Sequence, residues 1–155
     1  MLGARYRLRL WTTLTLLALA VGASRPASAG NEPTVEDLKA RLASTSIGAR
    51  PHLCVEIAQK QLEQADKFYA ANELEKGQSA LTDVVAYSEL ARDYAIQSHK
   101  YQKQTEIAAR AMARKLTGLL HSLGHDDQSQ VAEAIRRLEK VRDDLLKEMF
   151  PKGAK

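Results

Sequence analysis

Apolar residues recur along the chain with a three-and-four rhythm, and that rhythm divides most of it into amphipathic helices. Val35, Leu38 and Leu42 follow Thr34 at helical spacing, and Asp37 stands three residues beyond that threonine, as in a capping box. This predicts a brief first helix, ended by Ser44-Thr45-Ser46 and Gly48. Pro51 suits the first turn of the next helix, where a missing N–H costs nothing. The stripe Cys54, Ile57, Ala58, Leu62, Ala65, Phe68 and Tyr69 carries that second helix to about Ala71.

Asn72 interrupts the stripe and is expected to cap a third helix, with Glu75 reaching back to its backbone N–H. So short a connection makes helices two and three antiparallel neighbours, facing through Leu74, Gly77, Leu81, Val84, Ser88, Ala91 and Ala95. Tyr87, Tyr94 and Tyr101 repeat every seven residues on an adjoining ridge, nearly one line of a helix, drifting by ~20° per step. The stripe fades over 97–104, which places a break near residues 100–105. A single helix over 73–123 is the alternative, since no glycine or proline compels a stop.

Ala108, Ala111, Met112, Leu116, Leu119 and Leu123 form the next apolar face, and Gly124 is expected to end it in the left-handed conformation. Asp126 and Asp127 can cap a last helix, whose seam of Val131, Ile135, Leu138, Val141, Leu145 and Met149 is the most regular in the chain. Pro151 and Gly153 close it. No sustained alternation bounded by hairpin turns suggests strands. The predicted fold is all-α, about four main helices after a short first one, in a single domain over 34–150 with a 151–155 tail.

Residues 65–84 resemble one helical hairpin of the tetratricopeptide type. Ala65 and Phe68 stand where that pattern has a small and then an aromatic residue, Asn72-Glu73 fall at its tight turn, and Gly77 takes the crossing point. Leu81 and Val84 occupy later packing positions, whereas Gln61 and Gln64 stand where the pattern prefers larger apolar groups. The resemblance spans about one repeat of ~34 residues, and a stable array usually needs about three. It implies a protein-interaction surface; otherwise the same residues describe how two closely linked helices pack. The architecture is therefore either a helical bundle or a set of such hairpins.

The first 29 residues have a different character. Arg5, Arg7 and Arg9 precede an apolar run over 10–21, and Ala27-Ser28-Ala29 offers small residues to a signal peptidase. The run is shorter than the ~20 residues a spanning helix needs, so cleavage after Ala29 is expected, followed by a polar tether over 30–33. An uncleaved N-terminal anchor is the competing reading. The 23 basic and 19 acidic residues give a formal net charge of +4, but this excess lies entirely in that segment, through its three arginines and Arg25. The remainder is balanced, which removes the compositional argument for a nucleic-acid partner. With Cys54 as its one cysteine, the exported chain has no internal disulfide, and its place on an apolar helical face suggests a buried thiol.

Candidate chemistry is sparse. His121 and His125, with Asp126 and Asp127, are the one cluster rich in metal-ligand types, since a four-residue spacing can bring two imidazoles to one side of a helix. The simpler reading gives the histidines to a helix C-terminus and the aspartates to the start of its successor. Neither a nucleophile elbow nor a phosphate-cradling glycine loop is present, and Cys54 has no base within sequence reach. Lys100, Lys103, Arg110, Arg114 and Lys115 can face an anionic partner or simply be solvated.

The expectation is an exported protein, bacterial periplasmic or secreted. It serves as a non-enzymatic interaction module, an adapter or scaffold, with another protein as partner and self-association possible. No nucleic acid, cofactor or stable membrane span is expected. Tyr87, Tyr94 and Tyr101 are the interaction candidates, the first two as core residues and Tyr101 as the exposed anchor, because its neighbours Lys100, Gln102 and Lys103 are polar. A bundle that binds a small molecule or metal between its helices is the alternative, and a hydrolase assembled only in three dimensions is a third reading.

Overall fold

The computed structural model describes residues 32–151. Contacts divide the chain into Met1–Glu32 and Pro33–Lys155, and every described helix belongs to the second unit. The expected signal peptide, its cleavage bond, and residues 152–155 lie outside the described residues. The fold is all-α: α1 (Val35–Ser44), α2 (Arg50–Ala70), α3 (Leu74–Ser98), α4 (Gln102–Ser122) and α5 (Gln128–Met149), with a single 3-10 turn at His125–Asp127 and no strand among the described residues.

The capping box at α1 forms as its sequence implies. Asp37 N–H donates to Thr34 Oγ1 at 3.2 Å, and Thr34 N–H donates back to Asp37 Oδ2 at 3.0 Å. The Thr34 hydroxyl and then its backbone N–H hold the Asp37 carboxyl below its ordinary range. Pro51 is buried in the first turn of α2.

The end of α2 departs from expectation, because Asn72 closes that helix rather than capping the next. It adopts a left-handed φ of 58°. Glu73 N–H donates to Phe68 O at 2.8 Å and Asn72 N–H to Tyr69 O at 3.1 Å, so the last carbonyls of α2 are satisfied by a Schellman motif. Glu73 takes the N-cap position of α3 without a side-chain bond. Asparagine tolerates this backbone better than most residues, and its cap and stop roles look alike in sequence.

The break after α3 is real, and the single-helix alternative fails. His99 and Tyr101 both take left-handed φ, 55° and 60°, and the chain reverses within three residues. Tyr101 therefore lies beyond α3, and the line proposed through Tyr87 and Tyr94 does not reach it. At the far end of α4, Gly124 is extended, with φ −62°, so its glycine freedom is unused. Leu123 is the C-cap, and Gln128 Nε2 donates to its carbonyl at 3.0 Å. Asp127 holds the N-cap position of α5 but makes no side-chain cap bond.

The helices form an up-down-up-down bundle. Pairing is most extensive between α2 and α3 and then between α4 and α5; α5 also packs on α3, and α4 touches α2 and α3. The main core joins Leu62, Ala65 and Tyr69 of α2 to Leu81 and Val84 of α3, Met112 and Leu116 of α4, and Val131 and Leu138 of α5. The tetratricopeptide-like hairpin is thus half of a four-helix bundle. Its crossing point is as tight as the glycine suggests: a Cβ at Gly77 would sit 3.0 Å from Tyr69 Cε2. A second cluster seats α1, through Val35 and Leu38, on Leu53 and Ile57. A third joins Ala95, Ala109, Val141 and Leu145, bringing together the end of α3, the start of α4 and the end of α5. On α4 the buried face rotates from expectation, because Ala109 and Ala113 are buried while Ala111 is exposed.

Candidate functional site

One end of the bundle gathers the connections 45–49 and 99–101, the first turns of α2 and α4, and the last turns of α3 and α5. It will be called the Tyr101 end, and the opposite one, with connections 71–73 and 123–127, the Asn72 end. Two facing connections build its tip. The Lys100 side chain lies over Gly48, where an added Cβ would approach its Cδ to 3.0 Å. The His52 ring meets the Tyr101 ring with centroids 5.8 Å apart, tilted by 51°. Arg50 is held by three contacts: Nε donates to Thr45 O at 2.9 Å, Nη1 donates to Tyr94 Oη at 3.3 Å, and the guanidinium stacks 5.1 Å from the Tyr94 centroid.

The three tyrosines thus fall into different environments. Tyr87 is half-buried, packs against both the main core and the α1 cluster, and carries Lys39 Nζ 5.3 Å from its ring centroid. Tyr94 is half-buried beneath Arg50. Tyr101 is 40% exposed. Its left-handed backbone costs a bulky residue ~1–2 kcal/mol relative to ordinary helix. In the first turn of α4 that it opens, the buried Gln102 Nε2 and Thr105 Oγ1 have no hydrogen-bond partner among the described residues.

The Tyr101 end also holds residues to which periodicity is blind. Five large apolar side chains among the described residues are exposed: Ile47, Tyr101, Ile107, Leu146 and Phe150. Ile47 and Tyr101 lie in the two connections, Ile107 within two turns of the start of α4, Leu146 in the last turn of α5, and Phe150 at its C-cap. All five therefore belong to the same end. Ile47 stands alone among small and polar turn residues, and Phe150 follows the last position of the α5 seam; those were the available sequence signals.

The metal-ligand candidates sit at the opposite end. His121 Nδ1–H donates to Thr117 O at 2.6 Å, which occupies one ring nitrogen within its own helix. His125, Asp126 and Asp127 contribute the backbone of the 3-10 turn, and His125 is exposed. Among the described residues no three His, Cys, Asp or Glu side chains group as metal ligands. Cys54 is fully buried, and desolvation pushes its thiol up to about 12 despite the nearby Arg50 charge. Burial also raises the Tyr69 phenol, with Asp127 adding to the effect.

Between α3 and α5 runs a shallow groove of about 170 Å³, floored by Leu81, Val85 and Ala134 and rimmed by Gln78, Thr82, Gln130, Glu133 and Arg137. Its guanidinium is already committed, since Arg137 donates to both carboxylate oxygens of Glu89, at 2.9 and 2.6 Å. The volume is below the ~300–1,000 Å³ of ordinary small-molecule sites. The basic segment divides: Arg110 pairs with the buried Glu106, Arg114 and Lys115 are exposed farther along α4, and Lys100 and Lys103 stay at the Tyr101 end. No helix among the described residues is long and apolar enough to cross a membrane. Compared with known proteins, the chain matches no family model, no curated protein and no solved structure.

Proposed function

We propose that the protein is an exported, non-enzymatic helical adapter or scaffold that docks through the Tyr101 end of its bundle. The observation carrying this reading is the confinement of Ile47, Tyr101, Ile107, Leu146 and Phe150 to that end. Burying such side chains against a partner removes apolar surface from water, and aromatic residues serve as the usual anchors. Phe150, at 71% exposed, has the most area to contribute. The N-terminal pattern of arginines, apolar run and Ala27-Ser28-Ala29 supports export to the periplasm or the medium.

The test is the state of the protein in intact cells. N-terminal sequencing of the exported fraction should begin near Gly30, and native electrophoresis should find the wild type within an assembly larger than one chain or held on a membrane. Tyr101→Ala together with Phe150→Ala should keep the melting temperature and release a free monomer. A wild type that is already a free monomer in the cell overturns the reading.

A further inference from the structure

The Tyr101 end has a charge pattern that names its partner. Residues 41–55 and 97–105, which build the two connections and the adjoining helix ends, contain Arg41, Arg50, Lys100 and Lys103, with the imidazoles of His52 and His99, and not one Asp or Glu. Those four cations make no ion pair among the described residues. Elsewhere several basic side chains are neutralised, as in Arg92–Asp144 and Arg137–Glu89, while Lys67, Arg114 and Lys115 are scattered singly or in sequence along α2 and α4 without an ion pair among the described residues. The Asn72 end is mixed and acidic on balance, with Glu73, Glu75, Asp126 and Asp127 in and beside its connections against Lys67 and Lys76, the latter paired with Glu73. A body charged in this way is turned by an anionic surface so that its Tyr101 end faces that surface.

Resting on the docking role proposed above, we infer that this end binds the surface of an anionic phospholipid bilayer. A bilayer supplies both things the end lacks: phosphate charge at the level of Arg41, Lys100 and Lys103, and hydrocarbon just beneath it for Ile47 and Phe150. Tyr101 suits the boundary, where an amphipathic ring lies among headgroups. A second copy meets only half of this need. Its acidic Asn72 end complements the charge, but no large apolar side chain is exposed there among the described residues. Two copies joined through their Tyr101 ends would oppose like charges. Glu148, exposed in the last turn of α5, is the carboxylate that works against binding.

The experiment uses the full chain as the expressing cell processes and exports it, sedimented with vesicles of phosphatidylcholine alone or mixed equally with phosphatidylglycerol. Binding to the mixed vesicles and not to phosphatidylcholine is expected, falling as salt is raised. Lys100→Gln with Lys103→Gln should weaken it by about 25-fold, roughly fivefold for each charge at the surface, with an unchanged helical spectrum. Binding to both vesicle types alike, or to neither, overturns the proposal. In parallel, a photo-activatable phenylalanine analogue at Phe150 is illuminated in intact cells with all native charges in place. An adduct with phospholipid supports the proposal. An adduct with another protein or a second copy overturns the lipid assignment and leaves the docking role standing, whereas no adduct of any kind overturns both.

Discussion

Gln61 Nε2 donates to Asp83 Oδ2 at 2.8 Å, and Lys39 Nζ reaches the same oxygen at 2.8 Å, so one carboxylate ties α1, α2 and α3 together. Gln61 is the buried polar residue in the middle of an apolar stripe, and this bond is what lets it stay there. The Asp83 carboxylate in turn raises the Lys39 ammonium pKa, chiefly through the hydrogen bond.

Asp83→Ala should therefore destabilise the fold by about 1–3 kcal/mol, since it strands a buried amide. Gln61→Leu combined with Asp83→Ala should recover a good part of that loss, because an apolar side chain needs no partner. Chemical denaturation of the four forms in a double-mutant cycle gives the coupling; strict additivity would show that the bond contributes nothing.

Two helical glycines should answer the same substitution in opposite ways. Gly118 of α4 has nothing within 4 Å of an added Cβ, so Gly118→Ala should stabilise by ~0.8–1 kcal/mol through helix propensity. Gly77→Ala meets the Tyr69 ring at 3.0–3.1 Å, which should cancel that gain or reverse it. Equal melting-temperature shifts for the two variants would contradict the close crossing of α2 and α3.

Leu138 is completely buried where α5 meets the main core. Leu138→Ala should cost ~2–5 kcal/mol, and Leu138→Asp should abolish cooperative unfolding by adding an unpaired buried carboxylate. A calorimetric scan of each variant decides it: retained wild-type melting in Leu138→Asp would place this face in solvent.

Cys54 should resist alkylation in the native protein and react once denaturant is added. Its raised folded value also sets a sign. The folded state keeps the thiol protonated while the unfolded chain releases its proton above the ordinary value of 9.0. Stability from this group is thus complete below pH 9 and is lost as pH rises toward about 12, by up to ~tenfold in the folding equilibrium per pH unit. Comparing the wild type with Cys54→Ala across that window isolates the effect; parallel stability curves would refute it.

Helix identity was largely local information. The stripes on α2, α3 and α5 could be read directly because one face of each helix must leave water, and that requirement repeats with the helical period whatever the helix packs against. The same logic found the Thr34–Asp37 box, a matter of four consecutive residues. It failed where one residue type has two local uses: Asn72 closes α2 in the left-handed conformation, while Gly124 stays extended. It also failed on α4, where contacts with three other helices select Ala109 and Ala113 over Ala111.

The candidate surface belongs to tertiary structure. Tyr101 was identifiable as an aromatic residue in polar company, but its place on the line of α3 was not correct, because reversal at His99–Tyr101 carries it off that helix. Ile47, Ile107, Leu146 and Phe150 are far apart in sequence and share no period. They become one end only because four helices run alternately up and down, which returns the starts of α2 and α4 to the finishes of α3 and α5. A periodic pattern records which face of each helix is buried; which helix ends meet depends on chain reversals and long-range packing, and the docking surface follows from that.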